Sequence, residues 1–236
     1  MARYDMTPDT AWAPPIVAER VGQFLRAVYA WMCAGLAITA TTTWFIAASP
    51  GVPLLIATNR LLFWGLVIAQ LGIVLVLSAR VQRLAASTAA LLFMIYSALT
   101  GVTMSFVLLV YTGESVATTF VVAAGMFGAM ALYGTVSARS LAGLGQLLFM
   151  GLMGVVLASV VGMFWHSDAL QFVISFIGVI VFTGLTAYDA QRLKAMAMAL
   201  PSGQTGSLAV VGALALYLDF INMFLFLLRF MGNRRN

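Results

Sequence analysis

Seven apolar runs, each long enough to cross a lipid bilayer, follow one another through this 236-residue chain at about 24–48, 57–79, 84–111, 116–138, 141–165, 169–199 and 207–231. Roughly 20 apolar residues at 1.5 Å rise span about 30 Å of hydrocarbon, and in lipid every backbone N–H and C=O must be satisfied within its own segment or a closed barrel. The chain is therefore expected to be all-α, a polytopic integral membrane protein with seven transmembrane helices. Composition agrees, since 63% of residues are hydrophobic and 8% charged, against about 25% charged in an average soluble domain. The expected division is a polar N-terminal tail over 1–22, a seven-helix domain over 23–231 and a short basic tail over 232–236.

Residues 1–22 hold Asp5, Asp9, Glu19, Pro8, Pro14 and Pro15 and lack the basic start and immediate apolar core of a secretory signal. The breaks between runs carry turn chemistry, as in Ser49-Pro50-Gly51, Thr112-Gly113-Glu114 and the stretch from Pro201 to Gly206. With the N-terminus cytoplasmic, one set of loops holds Arg80, Arg83, Arg139, Arg192 and Lys194, and the other holds Arg60, Glu114, His166 and Asp168. That split follows the positive-inside rule. The tail arginines Arg234 and Arg235 then fall on the opposite side, so either the tail is tolerated there or one late segment does not cross.

Several chemistries are excluded by inventory. The single cysteine, Cys33, cannot close an intrachain disulfide and is expected to pack. The single histidine, His166, cannot build a two-histidine metal site. The basic residues sit singly at the ends of apolar runs, not in the patches that bind nucleic acid, so no nucleic acid and no organic cofactor are expected. Small residues such as Gly125 with Ala129, Gly151 with Gly154, and Gly178 and Gly184 read as helix packing.

Of seven acidic residues, five lie in the leader or in polar breaks, and Asp189 and Asp219 alone lie deep in apolar runs. An ionisable group inside a membrane costs several kcal/mol unless paired, hydrated or neutralised. The sixth and seventh runs form an antiparallel hairpin, in which Asp189 stands 12 residues before Pro201 and Asp219 stands 13 after Gly206. At 1.5 Å per residue both carboxyls lie roughly 18–20 Å from the turn, at similar depth. They can face each other and share one proton. Loss of that proton leaves two negative charges that must separate or take up a cation, and such hard oxygen ligands suit Ca²⁺.

A second reading satisfies both acids permanently with arginine, since Arg192 is at i+3 from Asp189 and Arg80 ends the second run. Asn222, at i+3 from Asp219, could extend an aqueous file. Arg229 is expected to reach for the interface, Glu114 to complement the dipole of the fourth helix, and Gln70 to donate to a buried acid.

The motifs Ala187-Tyr188-Asp189-Ala190-Gln191 and Leu216-Tyr217-Leu218-Asp219-Phe220-Ile221-Asn222-Met223-Phe224, followed by Leu227-Leu228-Arg229-Phe230, resemble the last two helices of the Bax inhibitor-1 family. The resemblance implies a central last helix surrounded by the other six and a pH-dependent Ca²⁺ leak. It assigns the paired-aspartate sensor to Asp189 and Asp219 and the latching arginine to Arg80. An acidic residue found within the second helix of some members has no counterpart at Ala69-Gln70. The resemblance also implies a bacterial inner membrane, a lipid bilayer and calcium ions as partners, and no enzymatic activity, and it leaves the oligomeric state open, a monomer included. Two other functions compete. An intramembrane aspartyl protease would also use two acids on adjacent helices, but a Gly-x-Gly-Asp sequence is replaced here by Tyr217-Leu218-Asp219. A non-channel regulator that binds a membrane protease or a stress or death-pathway partner would need more exposed surface than these short tails provide.

Overall fold

The computed structural model describes residues 15–49, 51–81, 83–165, 167–199 and 205–235. They form eight helices: α1 (Pro15–Ala47), α2 (Gly51–Thr58), α3 (Arg60–Ala79), α4 (Ala86–Val110), α5 (Gly113–Val136), α6 (Ala142–Phe164), α7 (Asp168–Ala199) and α8 (Thr205–Met231). All but α2 are long and apolar enough to cross a membrane.

Two boundaries depart from the sequence expectation. The first helix starts at Pro15, inside the segment assigned to the polar tail; proline is tolerated in a first turn because its missing N–H has no intrahelical partner there. The second apolar run, read from 57, begins as α3 only at Arg60, and the connection before it folds as the short helix α2; Asn59 separates the two, its Oδ1 accepting from the Leu61 and Leu62 amides. An asparagine that caps a helix ends the one before it. The leader 1–14, His166 and the turn residues 200–204 lie outside the described residues.

The last helix forms the core. It packs against α1, α4, α5 and α7, and 67% of its most apolar stretch is buried, against 6% for α3. Tyr217, Leu216 and Met223 are fully enclosed. The family resemblance implied six surrounding helices; here α3 rests on α4 and α6 on α7, both outside the layer that touches α8. Leu61, Ile68 and Leu75 on α3 and Leu147 and Leu157 on α6 stay exposed, which in a bilayer means facing lipid. Cys33 is likewise exposed on α1 rather than packed, and a small apolar thiol suits a lipid-facing surface.

Lipid chains are as apolar as leucine, so helix association rests on close van der Waals packing through small residues. Gly178 lies under the Phe226 ring, Gly184 against Leu148 and Gly151 against Val181. Gly125 and Gly154 have nothing within contact distance, so the Gly125/Ala129 pair is not an interface. The α1/α4 contact centres on Gly35 and Gly101, beside Thr39, whose hydroxyl donates to the Ser97 carbonyl at 2.9 Å and lies 2.6 Å from the Tyr217 hydroxyl.

The C-terminal residues are tied down. Arg234 bridges to Tyr111, the Arg235 amide donates to Val110 O at 2.8 Å, and the Asn233 amide donates to Ser115 Oγ. The tail is thus fixed to the α4–α5 connection. Arg234 and Arg235 stand at the end opposite Arg80, Arg83 and Arg139.

Candidate functional site: a carboxyl pair between two cavities

Consecutive residues of the α7 motif face different neighbours, because each step turns the helix by about 100°. Ala187 lies against α5, where its carbonyl meets Gly134. Tyr188 covers Gly145 of α6. Asp189 turns to α8. Two residues on, Gln191 ties α7 to the α5–α6 connection: its Oε1 accepts from the Leu141 amide at 2.7 Å and its Nε2 donates to Arg139 O at 2.8 Å. Lys194 Nζ adds a bond to Thr135 O at 2.7 Å.

The α8 motif is divided the same way. Tyr217 enters the α1/α4 interface, edge-on to Phe93 and Tyr96. Phe220 packs edge-on to Phe120 and Phe127 of α5. Met223 takes a contact from the Thr183 hydroxyl of α7 at 3.5 Å, and Asp219 faces α7. The antiparallel register that sets Gly178 under Phe226 and Thr183 beside Met223 brings Asp219 opposite Asp189.

The two carboxyls face each other across the α7/α8 contact, close enough to interact directly. Asp219 is 5% exposed, and its Oδ2 is buried with no hydrogen-bond partner. Asp189 lines a cavity of about 310 Å³ at the basic end of the bundle, with Ser78, Val81, Arg192, Met196 and Gly212. Arg192 acts on Asp189 through its charge, and no ion pair joins the two among the described residues. Permanent satisfaction of both acids by arginine therefore does not describe this arrangement. Arg80 is exposed at the C-cap of α3; Ser78 and Val81 beside it line the cavity, but Arg80 does not. The structure thus joins Asp189, Asp219 and Arg192 at one place and leaves Arg80 at its edge.

A second cavity, of about 530 Å³, lies toward the opposite end and is lined by Ser159, Gln171, Phe182, Asn222, Phe226 and Arg229 among others. Gly212, Ala215, Asp219, Asn222, Phe226 and Arg229, at spacings of three and four, fall on one face of α8. That face serves both cavities, with Asp219 between them. Asn222 belongs to the second cavity, and its Nδ2 donates back to Leu218 O at 2.8 Å. Gln70 reaches no acid; its Nε2 donates to Leu99 O at 3.2 Å on α4, the nearest helix to the peripheral α3. Glu114 occupies the first turn of α5, while the cap itself is Thr112 Oγ1, accepting from the Ser115 amide.

Comparison with known proteins gives the same grouping. The family model described as "Inhibitor of apoptosis-promoting Bax1" matches residues 21–236. The chain belongs to the Bax inhibitor-1 family. It is 52% identical over 225 residues to the inner membrane protein YbhL of Escherichia coli strain K12, covering 93% of this chain and 96% of that one. It is also 42% identical over 216 residues to an uncharacterized protein of Borreliella burgdorferi, covering 91% and 93%, and 39% identical over the full length of both chains to an uncharacterized protein of Rickettsia prowazekii. Within this Bax inhibitor-1 member, Gln191, Lys194 and Tyr217 are site supports that sequence reasoning did not single out. The only available signal was polarity inside or at the end of an apolar run. Gln191→Ala is expected to strand the Leu141 amide, at a cost of about 1–3 kcal/mol. Hydrogen exchange at that amide should accelerate while the core of α8 stays protected.

Proposed function

We propose that this protein is a pH-gated cation leak of the bacterial inner membrane, with calcium as cargo and the Asp189/Asp219 pair as its gate. The observation that carries the reading is the approach of two carboxyls, Asp189 on the cavity wall and Asp219 buried behind it with an oxygen that no hydrogen bond satisfies. Ionised carboxylates only accept hydrogen bonds, so two in contact need a proton between them. With that proton the pair is bridged and α7 and α8 are held together.

Loss of the proton places two negative charges side by side in a low-dielectric region, which is costly unless the helices separate or a cation enters. Arg192, on the same cavity wall, can compensate Asp189. A calcium ion arriving through the cavity would gain two carboxylates, while its usual shell takes 6–8 oxygens. The remainder would have to be water. No cluster of three or more acidic, histidine or cysteine ligands exists among the described residues, so the site suits brief occupancy more than storage. The similarity to an inner membrane protein along nearly the whole chain supports the location.

The test is calcium flux into dye-loaded liposomes containing the purified full chain, followed across pH. Flux above that of empty liposomes, varying with pH, is expected. Absence of flux at every pH, with binding to a membrane protease or stress-pathway partner retained, would sink the leak reading in favour of a regulator.

A further inference from the structure

We propose that the cavity between α6, α7 and α8, at the end opposite the basic loops, is a binding site for an anionic phospholipid, with the phosphate on Arg229 and an acyl chain along α6. The cavity is donor-rich and acid-free: Ser159, Gln171, Asn222 and Arg229 line it with apolar residues, and no carboxylate among the described residues does. Arg229 is exposed at the rim of the cavity, yet its side chain folds back against the protein. Its guanidinium stands over the Phe226 ring, 5.8 Å from the centroid, and its Nη1 donates to Gln171 Oε1 at 3.4 Å. Two restraints thus fix a planar fork whose remaining N–H groups match a phosphate.

Depth and access fit the same occupant. Arg229 lies in the last turn of α8, at headgroup level for a spanning helix, and Asn222 lies about 10 Å deeper. The glycerol esters of a lipid held at Arg229 would fall within reach of the deeper amide groups. Helix α6 packs on α7 and not on α8, which leaves a wedge open sideways. Val156 and Val160 of α6 line that wedge yet remain 48% and 49% exposed, so its open side is apolar, as a surface facing acyl chains would be. A volume of about 530 Å³ is in the range of ordinary ligand sites, roughly 300–1,000 Å³.

The experiment places the full chain in nanodiscs of phosphatidylcholine with a minority of phosphatidylglycerol and counts lipids retained by native mass spectrometry. The wild type should keep one phosphatidylglycerol in preference to phosphatidylcholine. Arg229→Gln should lower that retention about tenfold, as loss of one charge-assisted contact predicts, with Arg229→Lys intermediate. Val156→Trp should lower it with the charge intact, by filling the wedge. Thermal midpoints in pure phosphatidylcholine discs should match the wild type for every variant, separating lost binding from lost folding. Millimolar inorganic phosphate should not displace the lipid. Equal retention by wild type and Arg229→Gln would overturn the proposal, as would displacement by inorganic phosphate or full retention by Val156→Trp.

Discussion

Asp219→Asn is expected to abolish the pH response of calcium flux while leaving the fold intact. An asparagine keeps the shape of the side chain and places an N–H where the shared proton sits, so it can donate permanently to the Asp189 carboxylate. The α7/α8 contact is then bridged at every pH, and flux should stay low and change by less than about twofold between roughly pH 5 and 8, because the coupled pair that titrates is gone. Asp219→Ala should behave differently. It removes the bridge and leaves Asp189 facing the cavity with Arg192 as the other charged residue on that wall among the described residues, so the pH response is lost without the closed state being enforced. Liposome flux for the two variants side by side checks both statements. A wild-type pH profile in Asp219→Asn would contradict the shared-proton gate.

The depth of this pair was legible in the sequence because helix rise is fixed and the turn between α7 and α8 is short. Counting 12 residues back from Pro201 and 13 forward from Gly206 uses only geometry that every α-helix shares. The scarcity of charge helped, since two acids deep in apolar runs stand out against five that do not. The short helix α2 was less visible, because it follows the Ser49-Pro50-Gly51 turn and its eight residues are too few to stand out as a run. The tail strap was hidden for another reason: Arg235 and Thr112 use backbone groups, and a main-chain bond leaves little trace in residue identity. Arg80 shows the limit of transfer by resemblance. Its position in the chain matches, but its side chain is exposed and outside the cavity lining in this arrangement.

Small residues give the second large effect, and spacing alone does not tell which of them matter. Gly125 and Ala129 have the G-x-x-x-A pattern, yet a Cβ at Gly125 would meet nothing within contact distance. Gly134 shares that spacing with Ala138, but here α5 lies backbone to backbone against α7: a Cβ at Gly134 would run into the carbonyl oxygen of Ala187, with the Ala187 carbonyl carbon 2.9 Å away. Backbone cannot rotate aside as a side chain can, so Gly134→Val must push the two helices apart. Over-packing of this kind costs typically about 1–3 kcal/mol, and more where nothing can relax. Ala187 is two residues from Asp189, so the displacement also shifts one half of the carboxyl pair relative to α8. Gly134→Val should therefore lower the thermal midpoint and disturb the pH profile together. Gly125→Ala should do neither, and could gain up to about 1 kcal/mol from helix propensity. Thermal unfolding of the two purified variants separates these outcomes. If Gly134→Val unfolds with the wild-type midpoint, α5 does not hold α7 in register, and the α5 contact cannot be what positions Asp189.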